Sequence, residues 1–154
     1  MKITAQEEYG LRCLLQLAKA RRGDVMRVKD IAAKEGISNA YVEKLLRLLS
    51  RSGLVHSVRG VNGGYVMNRP ASQVTLGEVV RALGTVESTD HICHEYTGKK
   101  AVCVHFTDCG IRSVWSGLTT YIQQFMDQTT LDTLLTSEYD AAERIANRLK
   151  GVVS

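Results

Sequence analysis

The sequence predicts a mainly α protein with a small β-hairpin wing: a winged helix-turn-helix plus a long dimerisation helix. Three observations predict it. Two helical patterns meet across Gly36-Ile37-Ser38, two β-prone runs flank a Gly-rich turn over residues 59–64, and an apolar stripe at helical spacing runs from Ile111 to Phe125. The expected units are 1–84 for a winged DNA-binding module, 85–109 for a cysteine-bearing loop and 110–154 for the dimerisation helix and tail.

In chain order, Thr4 offers a side-chain cap and Glu7, three residues on, its capping-box partner, so a helix is expected to about Ala20. Tyr9, Cys13, Leu14 and Leu17 share one face of it, which makes Cys13 a small core residue. Gly23 and Asp24 break the pattern. A second helix follows from about Val28 to Glu35 with Ile31 and Ala32 as its apolar face, ended by Gly36 as a left-handed cap.

Ser38 is a good N-cap for a third helix that runs to about Ser52 and stops at Gly53. Val42, Leu45, Leu46 and Leu49 turn inward, which leaves Asn39, Glu43, Arg47 and Arg51 in a row at steps of four. Ser38, Tyr41 and Lys44 flank that row. Arg can fork onto guanine, Asn can pair with adenine and Glu can accept from cytosine, so these residue types suit major-groove readout. A solvated charged face is the plain alternative.

The runs Leu54-Val55-His56-Ser57-Val58 and Tyr65-Val66-Met67 are separated by Arg59-Gly60-Val61-Asn62-Gly63-Gly64, a turn with an Arg at its base. Three helices and a basic hairpin make a winged helix. Its wing would set Arg59 and the backbone amides of Gly60, Gly63 and Gly64 against phosphates or the minor groove. A nucleotide-binding phosphate loop is excluded, because no helix opens after Gly63-Gly64 and no Gly-Lys-Ser/Thr is present.

Pro70 closes the wing, and Thr75 with Glu78 is a second capping box, opening a short helix to about Leu83. Beyond the cysteine loop, Ile111, Val114, Trp115, Leu118, Ile122 and Phe125 form one apolar face over several turns. Such a face must be covered. A symmetry mate is the economical cover, because a winged helix reads a palindromic operator as a homodimer; packing on its own domain is the alternative. Leu131, Leu134 and Leu135 begin a shorter segment, and a polar helix is expected from Glu138.

Charge supports this division. Residues 1–70 hold 13 Lys and Arg against 6 Asp and Glu, net +7, whereas residues 71–154 hold 7 against 10, net −3. Double-stranded DNA is the partner that such a basic half suits. No stretch approaches the roughly 18 apolar residues of a membrane span, and the start lacks a signal-peptide pattern, so a cytoplasmic location without membrane contact is expected. No nucleophile–base pair or paired carboxylates stand out, so neither an enzyme nor a small-molecule substrate is expected.

Thiols stay reduced in the cytoplasm, so cysteines there are ligands, redox groups or core residues. Cys93, Cys103 and Cys109 lie in one polar segment, and three soft donors so placed suit a metal or an iron–sulfur cluster. No Cys-x-x-Cys pair of the kind structural zinc sites prefer is present.

Met1-Lys2-Ile3-Thr4, Ile37-Ser38 with Tyr41-Val42-Glu43, Val58-Arg59-Gly60 with Gly63-Gly64-Tyr65, the Thr75–Leu83 segment, the cysteines and Trp115 together resemble the Rrf2 family, the small bacterial winged-helix regulators that include IscR, NsrR and RirA. The resemblance spans nearly the whole chain. It implies an iron–sulfur cluster, 2Fe-2S or 4Fe-4S, that controls promoter binding, with Cys93, Cys103 and Cys109 matching the family's cluster cysteines. Two departures stand out: nine residues separate Cys93 from Cys103, wider than is usual, and Arg112 stands where the IscR branch has a histidine ligand. NsrR-like members recruit a carboxylate from the first helix of the other subunit, and Glu8 stands at that position. His94, His105 and Asp108 are rival fourth ligands within the loop. A winged-helix regulator with a zinc site or thiol-based redox sensing, and no cluster, is the alternative.

Overall fold

The computed structural model describes residues 3–21, 23–84 and 98–152. The order is α1 (Ala5–Lys19), α2 (Val28–Glu35), α3 (Asn39–Arg51), β1 (Val55–Val58), β2 (Gly64–Met67), α4 (Leu76–Leu83), α5 (Gly110–Gln128) and α6 (Glu138–Val152), with 3-10 turns at Ala71–Gln73 and Leu131–Leu135. The expected fold class is the observed one. Both capping boxes form: Glu7 N–H donates to Thr4 Oγ1 at 3.2 Å, and Thr75 N–H to Glu78 Oε2 at 2.8 Å. Gly36 adopts the left-handed conformation at φ 66° and ends α2, as only a residue without Cβ does cheaply.

The core collects Cys13, Leu14 and Leu17 of α1, Ile31 of α2, Val42, Leu45, Leu46 and Leu49 of α3, and Val79 and Leu83 of α4. Each fully buried leucine contributes about 1.5–3 kcal/mol of apolar transfer. Gly10 lets α1 meet α4 closely, since a Cβ there would overlap the Leu83 side chain.

β1 and β2 pair antiparallel with Val55 opposite Met67 and Val58 opposite Gly64. Met26 adds a third, one-residue strand: its N–H donates to Tyr65 O at 3.1 Å and Tyr65 N–H returns to Met26 O at 2.9 Å. The wing is thereby attached to the chain just ahead of α2.

The apolar stripe of α5 divides. Ile122, Phe125 and Met126 are half-buried in the part of the helix that packs on α4, where Arg81 pairs with Asp127 at 2.8 Å. Ile111, Val114, Trp115 and Leu118 stay 46–68% exposed. After α5 the chain returns to the winged unit: Leu76 N–H donates to Thr129 O at 2.7 Å, Leu131 N–H to Val74 O at 2.8 Å, and Leu131 is fully buried in the main core.

Cys13 is a core residue, as its spacing predicts. Burial, with the Glu35 carboxylate adding to it, pushes its thiol up to about 12, so no thiolate forms at neutral pH. Iodoacetamide should therefore alkylate Cys103 and Cys109 in the folded, metal-free protein and leave Cys13 untouched. Cys13→Ala should lower stability by about 1 kcal/mol. Peptide mass mapping checks the first point, and labelling of Cys13 as fast as of Cys109 would contradict it.

Candidate nucleic-acid interface and cysteine loop

The outer face of α3 is set by what its inner face buries. With Val42, Leu45, Leu46 and Leu49 fully buried, Asn39, Glu43, Lys44, Arg47 and Arg51 are forced to the surface. Ser38 caps the helix, its hydroxyl accepting from Tyr41 N–H at 3.2 Å. Tyr41 packs edge-on against Tyr9 of α1, centroids 6.2 Å apart, and Lys44 Nζ lies 6.0 Å from its ring. Ser38 and Tyr41 thus position the helix, while the charged row faces outward.

Arg47 Nη2 meets Glu43 Oε2 at 3.1 Å, with side chains 67% and 48% exposed. A pair this wet is weak, so Arg47 can leave it for a base edge at little cost. Lys44, Arg47 and Arg51 line a shallow groove with Ala40, Glu43 and Leu48 between them. Three cations against one carboxylate leave this surface net positive.

At the wing, Arg59 is exposed and Gly60 takes a left-handed φ of 113°, with Gly63 N–H closing the turn onto Gly60 O at 2.9 Å. Gly63 and Gly64 are half-buried and have an internal reason to be glycine. A Cβ on Gly63 would sit 2.5 Å from Val58 O, and one on Gly64 would run into the Met26 carbonyl. Arg27, at the N-cap of α2, reaches across to the wing turn, its Nη2 donating to Asn62 Oδ1 at 2.5 Å. Val61 is left at the tip, 98% exposed. Spacing alone gave no sign of Arg27 or Met26, because their partners lie some 35–40 residues away.

Glu8 is exposed on α1 and pairs with Arg12 at 2.9 Å. Of the cysteine loop, Cys93 and His94 lie outside the described residues. Cys103 and Cys109 are free, half-buried thiols, and Cys109 is the N-cap of α5; His105 and Asp108 are exposed. Among the described residues no three His, Cys, Asp or Glu side chains converge as a metal site. Arg112 turns back over the loop. Its guanidinium lies 5.4 Å from the Phe106 ring, Nη2 donates to Phe106 O at 2.6 Å, and Nε is buried with no partner. Two free, half-buried thiols a few residues apart are soft donors of the kind an iron–sulfur group takes, and the same short segment carries one buried N–H without a partner.

Comparison with known proteins agrees with the winged-helix fold. The family model Rrf2, iron-dependent transcriptional regulator, matches residues 3–137. Protein rrf2 of Nitratidesulfovibrio vulgaris is 33% identical over 135 residues, 88% of this chain and 87% of that protein. The transcriptional regulator IscR of Vibrio atlanticus is 33% identical over 136 residues, 88% of this chain and 75% of that protein. Among solved structures, CymR, the global cysteine regulator of B. subtilis, superposes with a TM-score of 0.70 at 28% identity, covering 89% of this chain and 99% of CymR.

Proposed function

Because the chain belongs to the Rrf2 family of transcriptional regulators, we propose that it grips a palindromic operator as a homodimer whose affinity is set by an iron–sulfur cluster on Cys93, Cys103 and Cys109. The observation that carries the DNA reading is the outward row on α3 beside an exposed Arg59, on the half of the chain with net charge +7. Ile111, Val114, Trp115 and Leu118 form an apolar face at the head of α5, and a second copy of that helix is its natural cover.

The cluster reading is supported by the half-buried free thiols of Cys103 and Cys109 and by the iron-dependent character of the family. Three thiolates leave one coordination position, for which Glu8 of the other protomer is the first choice, with His94, His105 and Asp108 as alternatives. A bound cluster would supply iron whose redox and coordination state responds to oxidants, iron supply or nitric oxide. If Glu8 ligates, the head of α5 in one chain is tied to α1 of its mate, and the spacing of the two reading helices differs with and without that tie. Only such a differential interaction can shift the equilibrium between DNA-binding states.

Anaerobic purification tests the cofactor. A brown protein with sulfide-dependent visible absorption supports the cluster, and a colourless one favours a zinc site or thiol-based sensing. Arg47→Ala tests the groove assignment. It should weaken specific operator binding by roughly 1–3 kcal/mol, whereas Arg59→Ala should act on all sequences and lower the salt slope by about 1. Wild-type affinity for a genuine operator in both variants would remove α3 and the wing from the interface.

A further inference from the structure

The first turn of α5 holds an unexpected charge. Arg112 is the only charged residue there, with no acidic residue in that turn and no side-chain cap from Cys109. A cation at this end opposes the helix dipole, so something must offset it. The side chain turns back past Cys109 instead of extending into water. Its guanidinium covers the Phe106 ring at 5.4 Å and Nη2 holds Phe106 O at 2.6 Å, while Phe106 N–H holds Cys103 O at 3.0 Å. Two hydrogen bonds in series therefore tie Cys103 to the helix that Cys109 begins. Nε, buried and unpartnered, is left with one N–H to give. A buried donor that makes no bond is costly unless another group takes it up.

We infer that Arg112 is the positioning residue of the cysteine loop: it fixes the segment from Cys103 to Cys109 against α5 and keeps its Nε–H and charge for the anionic thiolate group bound there. The clamp belongs to the metal-free protein; the Nε role rests on the cluster reading. Arg112 acts by holding the backbone between the two cysteines instead of coordinating.

The test compares wild type, Arg112→Ala and Arg112→Lys. In metal-free protein, heteronuclear 15N NOEs of the amides from 103 to 109 should show an ordered loop in wild type. Arg112→Lys, which can still reach Phe106 O and its ring, should keep that order, and Arg112→Ala should lose it. In anaerobically reconstituted protein, cluster loss to a chelator should be about 10–100-fold faster for Arg112→Ala, the range for removing a supporting partner of a metal ligand. Arg112→Lys should fall between, because it retains the clamp and lacks Nε. An unchanged loop in metal-free Arg112→Ala overturns the clamp. Equal cluster lifetimes in wild type and Arg112→Lys overturn the Nε role. Failure of wild type to take up any cluster would count against both the cofactor and the Nε role, while the loop measurement still decides the clamp.

Discussion

Cys109→Ala is expected to give a colourless protein under anaerobic purification, with complete loss of the visible absorption that the proposed cluster would give wild type. The thiol is half-buried at the N-cap of α5 and contributes no cap hydrogen bond, so its removal should leave the helix in place. Fold retention by circular dichroism separates ligand loss from unfolding. Cys93→Ala and Cys103→Ala should behave alike, while Cys13→Ala keeps its colour, because a neutral thiol inside the core has no route to the loop. On the proposed assignment of Glu8 as the fourth ligand, Glu8→Ala should keep a more labile cluster. Colour lost at Cys13 as fully as at Cys109 would overturn the ligand assignment, and a Glu8→Ala cluster as durable as wild type would move the fourth ligand to His94, His105 or Asp108.

Gly64→Ala is expected to detach the wing. The added Cβ would run into the Met26 carbonyl and lie 2.7 Å from its carbon and 2.9 Å from Val25 Cγ1. Backbone cannot rotate aside as a flexible side chain can. The Met26–Tyr65 pair must open or β2 must shift, at roughly the 1–3 kcal/mol of an overpacked site. Operator affinity should fall at least as far as in Arg59→Ala, since a displaced wing moves Arg59 and the turn together. The helical core, centred on Leu14, Leu45 and Leu46, lies elsewhere and should keep its circular dichroism spectrum. Unchanged melting temperature and operator affinity would show that Met26 does not anchor the wing.

Local rules made much of this molecule legible. Capping at Thr4, Ser38 and Thr75, the left-handed Gly36 and the inward faces of α1 and α3 depend on residues within one or two turns of each other, and each stands where its spacing places it. The reading row follows for the same reason: four buried positions on α3 dictate which residues remain outside. The charge division and the gathering of three cysteines are likewise properties of the chain alone.

Contacts that join distant segments were decided by the tertiary structure. Nothing local to Met26 says it pairs with Tyr65, and nothing local to Leu131 says it completes the core begun by α1. The stripe on α5 reads as one continuous face, yet its second half packs near α4 while Ile111, Val114, Trp115 and Leu118 of its first half stay exposed among the described residues. Gly63 and Gly64 read as turn residues of the wing, and the folded chain adds a reason that spacing does not show: a Cβ at either would meet the carbonyl of Val58 or Met26. Arg112 shows the same limit: its charge and position are in the sequence, but its use depends on Phe106 folding back within its reach. Periodicity determines which face of an element is apolar or charged; only long-range packing determines what that face meets.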